Sequence, residues 1–141
     1  MPGRDRVIEV VHGWVEKAEN DLTTAAFMLQ AGERCPADVV AFHAQQCAEK
    51  YVKAVLAFRG AYFPKTHDLH ELVVLLAPRV PVSISEDEER RLTAYATVTR
   101  YPGGYPPVSL ADARRAIAVA RRVRAAMRRE LPKEALRRAR R

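Results

Sequence analysis

Two cysteines in 141 residues are too few for a disulfide framework. Cys35 and Cys47 form no C-x-x-C pair, which disfavours a zinc knuckle or a redox motif. No apolar run approaches the roughly 20 residues that cross a bilayer. The start, Met1-Pro2-Gly3-Arg4-Asp5-Arg6, lacks the long apolar stretch of a signal peptide, so a cytoplasmic location without membrane is expected. A phosphate-cradling glycine loop is missing too, because Gly103-Gly104 has neither the lysine nor the following helix that such a loop needs. No serine, cysteine or carboxylate sits in a recognisable nucleophile motif, and nothing in the sequence asks for a cofactor.

What is present suits a single globular domain. A 48% hydrophobic share with 29% charged residues is ordinary for a folded chain long enough to bury one core. The net charge of +7 is unevenly placed. Residues 121–141 carry ten basic side chains against Glu130 and Glu134, so this end is +8 and residues 1–120 sum to −1. The basic end either attracts phosphate backbones and acidic partners or is simply a solvated helix end. Pro132 interrupts the helical pattern there, dividing a helical domain, 1–131, from a basic tail, 132–141.

Three- and four-residue periodicity dominates and no alternating strand is found. A first helix is expected over 7–31, with Trp14, Ala18, Leu22, Ala25, Ala26 and Leu29 inward and Gly32 as its stop. A second runs over 36–60, with Val40, Ala44, Cys47, Tyr51, Ala54, Val55 and Phe58 inward; a short turn should pack it antiparallel to the first. A short helix over 68–76 follows. Ser85 with Glu88, and Ser109 with Asp112, are capping signatures for two more. Residues 100–107, rich in proline and glycine, must be a loop. In the last helix Arg114, Arg121 and Arg128, and likewise Arg115, Arg122 and Arg129, repeat every seventh residue outside the Ala113, Ile117, Ala120, Val123 and Met127 face. The expected fold is all-α, an up-down helical bundle of four main helices plus a short fifth.

Three clusters could carry chemistry. On the second helix, His43, Gln46, Lys50 and Lys53 fall within a sector about 80° wide and about 15 Å long, centred about 120° from the apolar set. Polar groups at such an edge must meet water, polar groups of another helix, a second subunit or a ligand. Two lysines beside a histidine and a glutamine suit an anionic, hydrogen-bonding ligand such as a nucleotide. The alternative is a solvated flank whose lysines pair with Glu49 or with aspartates of neighbouring helices. Lys65-Thr66-His67-Asp68-Leu69 is the second cluster, where Thr66 or Asp68 caps the short helix. His67 and His70 are three apart, but a third metal ligand, for example Glu71 or His43, would have to come from elsewhere, and no metal site is assigned. The third is Arg100, which either clamps a phosphate or carboxylate, with Tyr95, Tyr101 and Tyr105 as stacking surfaces, or caps the end of the fourth helix.

Together these residues resemble a HEPN domain (higher eukaryotes and prokaryotes nucleotide-binding). The likeness rests on Ala18-x-x-Asp21-Leu22, on Phe42-His43-x-Gln45-Gln46-x-x-Glu49-Lys50-x-x-Lys53, on Phe63-Pro64-Lys65-Thr66-His67-Asp68-Leu69-x-x-Leu72, and on Arg100-Tyr101-Pro102. They stand in the family's order over roughly residues 8 to 130. The resemblance implies an all-α bundle that pairs as a symmetric homodimer and a polar pocket for a nucleotide or RNA. It also implies a minimal nucleotidyltransferase as partner in toxin–antitoxin pairs. The ligand-binding candidates it implies are Asp21, His43, Gln46, Lys50, Lys53, Lys65, His67 and Arg100. One departure matters: the family's metal-independent ribonucleases carry a histidine four to six residues after the arginine. After Arg100 the corresponding residues are Tyr105, Pro106 and Pro107, and all four histidines lie upstream. The expected function is therefore a non-catalytic binding module, with no catalytic residue assigned. The alternatives are a ribonuclease toxin using Arg100 with Tyr105 or His43, and a pure interaction or dimerisation module.

Overall fold

The computed structural model describes residues 2–76, 80–97 and 106–137. Among them are six α-helices and one 3₁₀ turn. They are α1 (Pro2–Leu29), the turn Gly32–Arg34, α2 (Ala37–Phe58), α3 (Leu69–Leu76), α4 (Glu86–Ala94), α5 (Leu110–Arg128) and α6 (Lys133–Leu136). The expected all-α bundle is what forms. The first helix begins five residues before its expected start, on Pro2, a residue suited to the first helical turn. No described helix is long and apolar enough to cross a membrane.

α1 and α2 form an antiparallel hairpin, since partners on α1 fall in number as those on α2 rise: Asp21 meets His43, Glu19 meets Tyr51, and Trp14 meets Lys53. α5 packs on α2 from another side, and α3 and α4 close the bundle beside them. This makes α2 the central element. Thirteen of its 22 residues are buried, and the set runs beyond the apolar stripe to Gln45, Glu49 and Lys53. The core-facing residues expected on α5, Ala113, Ile117, Ala120, Val123 and Met127, are all buried. Cys35 and Cys47 are both free, and Cys47 is fully buried among apolar neighbours, where desolvation pushes its thiol well above the usual range.

The helix boundaries follow from backbone chemistry. Gly60 adopts φ +67°, which lets Ala61 N–H bond Leu56 carbonyl at 3.0 Å and Gly60 N–H bond Ala57 carbonyl at 3.1 Å. That paired closure satisfies carbonyls a helix end would otherwise leave open. α4 and α5 start with reciprocal capping boxes, Ser85 with Glu88 and Ser109 with Asp112. Asp68 accepts the Glu71 amide at 3.2 Å and so caps α3, while Thr66 accepts the Asp68 amide at 3.0 Å. After Pro132 the chain turns back along α1: Ala135 is buried, and a ring nitrogen of His12 bonds the Arg137 carbonyl at 2.5 Å.

A second polar junction ties three helices together. Glu19 of α1 accepts the Tyr51 hydroxyl at 2.6 Å and both donors of the Arg124 fork at 2.7 and 2.8 Å. Arg128 completes it by donating to the Tyr51 oxygen at 3.1 Å. Arg124 holds the Glu19 carboxyl below the usual carboxylate range, and burial pushes the Tyr51 phenol up.

The α3–α4 contact is fastened by His70, which sits 2.5 Å from the Glu89 carboxylate with Glu86 beyond it at 3.7 Å. The Glu89 bond, helped by the charges of Glu86 and Asp68, raises the imidazole above its ordinary value. A raised folded-state value favours the fold at low pH, and the benefit fades as pH climbs through it. Urea unfolding at several pH values should therefore show stability falling as pH rises from about 6.5, the ordinary imidazole value, and falling less in His70→Gln; an identical pH profile in the variant would refute the assignment.

Candidate functional site

The polar row of α2 is where the expected site residues converge, and two carboxylates organise it. Asp21, projecting from α1, has one oxygen 2.8 Å from Nδ1 of His43 and the other 2.5 Å from Nζ of Lys50. Its side chain is only 11% exposed, against 26% for His43 and 21% for Lys50. Glu49, on α2 itself, is enclosed more completely. One of its oxygens takes the Gln45 amide at 3.0 Å and lies 2.8 Å from Nδ1 of His67; the other takes Lys53 at 3.1 Å. Gln46 joins the group by donating from its side-chain amide to Oε1 of the Gln45 side chain at 2.6 Å.

The burial of Lys53 has a visible cause. Its ammonium stands 5.6 Å from the centre of the Trp14 ring, which packs edge-on against Phe63 from the connection after α2. A cation can be desolvated there because it has both a carboxylate four residues earlier on its own helix and a ring face. Among the described residues no buried side-chain nitrogen or oxygen lacks a hydrogen-bond partner.

The expectation of a cationic stripe is thus only half of the arrangement. His43, Gln46, Lys50 and Lys53 do share one face, and His67 is brought to it across 18 residues of sequence by Glu49. The lysines, however, are neutralised where they stand, by Asp21 and Glu49. Lys65 lies on the exposed connection and has no ion pair among the described residues. Arg100, Tyr101 and Tyr105 fall outside the described residues. His67 and His70, three apart in sequence, turn to different carboxylates, Glu49 and Glu89. Among the described residues no three histidine, cysteine, aspartate or glutamate side chains converge as a metal cluster would.

Gln45 and Glu49 are the members that residue chemistry alone did not single out for the site. Both stand in the motif that carries the family resemblance, and Glu49 is the partner named for the lysines in the alternative reading; it lies four residues after Gln45 and four before Lys53. The chemical outcome is a set of fixed, partly exposed donors and acceptors. His43 and His67 are each tied to a carboxylate through Nδ1, and among the described residues Nε2 of neither has a partner; Lys50 spends one of three ammonium protons on Asp21.

A helical hairpin with a carboxylate-anchored polar row, closed by a third long helix and two short ones, defines a class of all-α domains. The chain belongs to the HEPN domain family, whose model matches residues 11–130. Two solved structures are similar. TT1696 from Thermus thermophilus has 25% identity and a TM-score of 0.69, covering 86% of this chain and 98% of its own. ST0689, an archaeal HEPN homologue, has 27% identity and a TM-score of 0.60, covering 84% of this chain and 94% of its own. The search of curated proteins gives no match.

Because Glu49 neutralises Lys53 out of water, removing its charge leaves an ammonium stranded. Glu49→Gln should cost on the order of 3–5 kcal/mol in chemical denaturation. Lys65→Ala, at an exposed unpaired site, should stay within about 0.5 kcal/mol of the parent. A loss below about 1 kcal/mol for Glu49→Gln would mean that Lys53 is not effectively desolvated.

Proposed function

We propose that this protein is a non-catalytic HEPN module that binds a nucleotide or an RNA phosphate at the α2 row. In this reading Asp21, His43, Gln46, Lys50, Lys53, Lys65, His67 and Arg100 form the ligand-binding set. The module acts as a homodimer with a minimal nucleotidyltransferase in a toxin–antitoxin-like system. One observation carries the reading: two imidazoles and a lysine on one face are each fixed by a buried carboxylate, and among the described residues their remaining hydrogen-bonding atoms have no partner. Donors held rigidly before a ligand arrives lose little entropy on binding it. The carboxylates cancel much of the positive charge, so recognition relies on directed hydrogen bonds, with Lys65 adding an unpaired cation at the rim. Membership of the HEPN family supports the pairing with a nucleotidyltransferase by resemblance alone.

The binding reading is tested by titrating labelled mono- and dinucleotides against the protein, Lys65→Ala and His43→Gln. A dissociation constant about tenfold higher in each variant, or about 1.4 kcal/mol, is expected. No binding by the parent, or equal binding by both variants, sinks it.

The Asp21–His43 pair favours one second reading, a metal-independent ribonuclease. A carboxylate on Nδ1 orients an imidazole so that Nε2 can take a proton from a ribose hydroxyl. Structured RNA incubated with the protein and a chelator should remain intact if the module only binds. Cleavage that disappears in both His43→Gln and Arg100→Ala would make the protein an enzyme.

A further inference from the structure

The outward face of α5 has no part in the row on α2, and it is built on a repeat. Ala111, Ala118 and Ala125 stand seven apart and are all exposed. Each is followed three and four residues later by a pair, Arg114-Arg115, Arg121-Arg122 and Arg128-Arg129, one arginine of each pair to either side of the alanine line. α5 contains six arginines against a single aspartate, Asp112. The first and last arginines of a row are about 21 Å apart.

Part of this array is already held in place. Arg124 and Arg128 are fixed by Glu19 and Tyr51, Arg115 by Asp112 at 2.5 Å, and Arg122 by Glu88. Arg114, Arg121 and Arg129 are exposed and have no ion pair among the described residues. Seven arginines thus meet three carboxylates, leaving four positive charges along one helix. Beside the row of Arg115 and Arg122 a hollow of about 170 Å³ opens between α4 and α5, with Arg91 on its far wall.

The chemistry narrows the partner. A row about 21 Å long is too extended for one phosphate group and suits a polyanion. A protein partner would need buried apolar anchors, but none of the exposed large hydrophobic residues lies on α5. α5 itself has no aromatic residue on which a run of unpaired bases could stack along the row. Shape then separates the duplexes. A helix about 10–12 Å across cannot enter the B-form minor groove, about 6 Å wide. The B-form major groove admits a helix, but reading it takes polar side chains aimed at base edges, and the midline of this face carries only Ala111, Ala118 and Ala125. The minor groove of A-form RNA is wide and shallow and is bordered by phosphates of both strands.

We infer that the outer face of α5 docks in the minor groove of double-stranded RNA. The alanine line lies over the riboses and the two arginine rows reach the phosphates of opposite strands. Recognition is by shape and charge, without reading sequence. The surface is separate from the α2 row, so either can fail while the other stands.

The test uses the full chain and a labelled RNA duplex of about 16 base pairs, followed by fluorescence anisotropy over a salt series. The parent should bind with an affinity that falls steeply with salt. The triple variant Arg114→Ala, Arg121→Ala, Arg129→Ala should bind at least about tenfold more weakly, with a salt slope lower by about three. Ala118→Glu, which changes only an exposed methyl group, should weaken binding in the same direction. Arg34→Ala, at an exposed arginine of the turn between α1 and α2 and outside both surfaces, should bind the duplex like the parent. An excess of unlabelled mononucleotide should not displace the duplex, which keeps this result apart from that of the α2 row. Circular dichroism of each variant confirms that the bundle is intact. An unchanged triple variant would overturn the inference, since the remaining affinity would then come from outside α5. A DNA duplex of the same length bound as tightly as the RNA would also overturn it. So would competition by polyglutamate as effective as by unlabelled duplex, which would point to an acidic protein.

Discussion

Glu49 is almost completely enclosed, and a carboxylate in that position must be surrounded by donors if the fold is to exist at all. The sequence supplies them from three directions: Gln45 one turn earlier, Lys53 one turn later and His67 from the connection that leads to α3. Each donor in turn locates something larger. Lys53 brings the Trp14 ring and with it α1, and His67 brings the chain segment that starts α3. Asp21 does the same work from the neighbouring helix at lower burial. The row on α2 is therefore part of the hairpin's own packing, and under the binding reading it would serve both roles without being cheaply rearranged by either.

That double role bears on the kind of chemistry the site supports. A pocket assembled for charge alone would leave its lysines unpaired, whereas here two acids cancel two ammonium groups. What survives is geometry: ring nitrogens and ammonium protons held at set positions by groups that cannot move. Discrimination by hydrogen-bond pattern follows more readily from such an arrangement than raw affinity for phosphate. The absence of a histidine within six residues after Arg100 fits the same emphasis, because the imidazoles of this chain are used to organise α2 and its neighbours.

Much of the architecture was legible in the sequence, because the signals that set it are local. Apolar spacing located α1, α2 and α5, and serine with an acid three residues later placed the starts of α4 and α5. Gly60 marked the end of α2. The four polar residues on α2 could also be assigned to one face by counting. The pairing stayed open there, with lysines meeting Glu49 or an aspartate of a neighbouring helix as one alternative beside a ligand. Asp21 lies 22 residues from His43 and 29 from Lys50, and no periodicity reveals which acid a lysine will meet across a hairpin. Glu49 is the sharper case: its sequence environment is that of an ordinary helical surface acid, and only the packing of α2 on every side takes it out of water. The Glu19–Tyr51–Arg124–Arg128 junction was hidden for the same reason, since Tyr51 reads as a plain core residue until its hydroxyl finds partners on two other helices.

The buried thiol of Cys47 has a consequence of its own. Only the thiolate attacks electrophiles, and here the thiolate is disfavoured by desolvation and sealed behind the α1–α2 contact. Its alkylation rate is therefore set by how often the central helix is exposed rather than by reagent chemistry, while the half-buried Cys35 provides an internal comparison in the same chain. The molecule carries a built-in clock for the opening of its own hairpin, and ligands that grip the row on α2 should slow it.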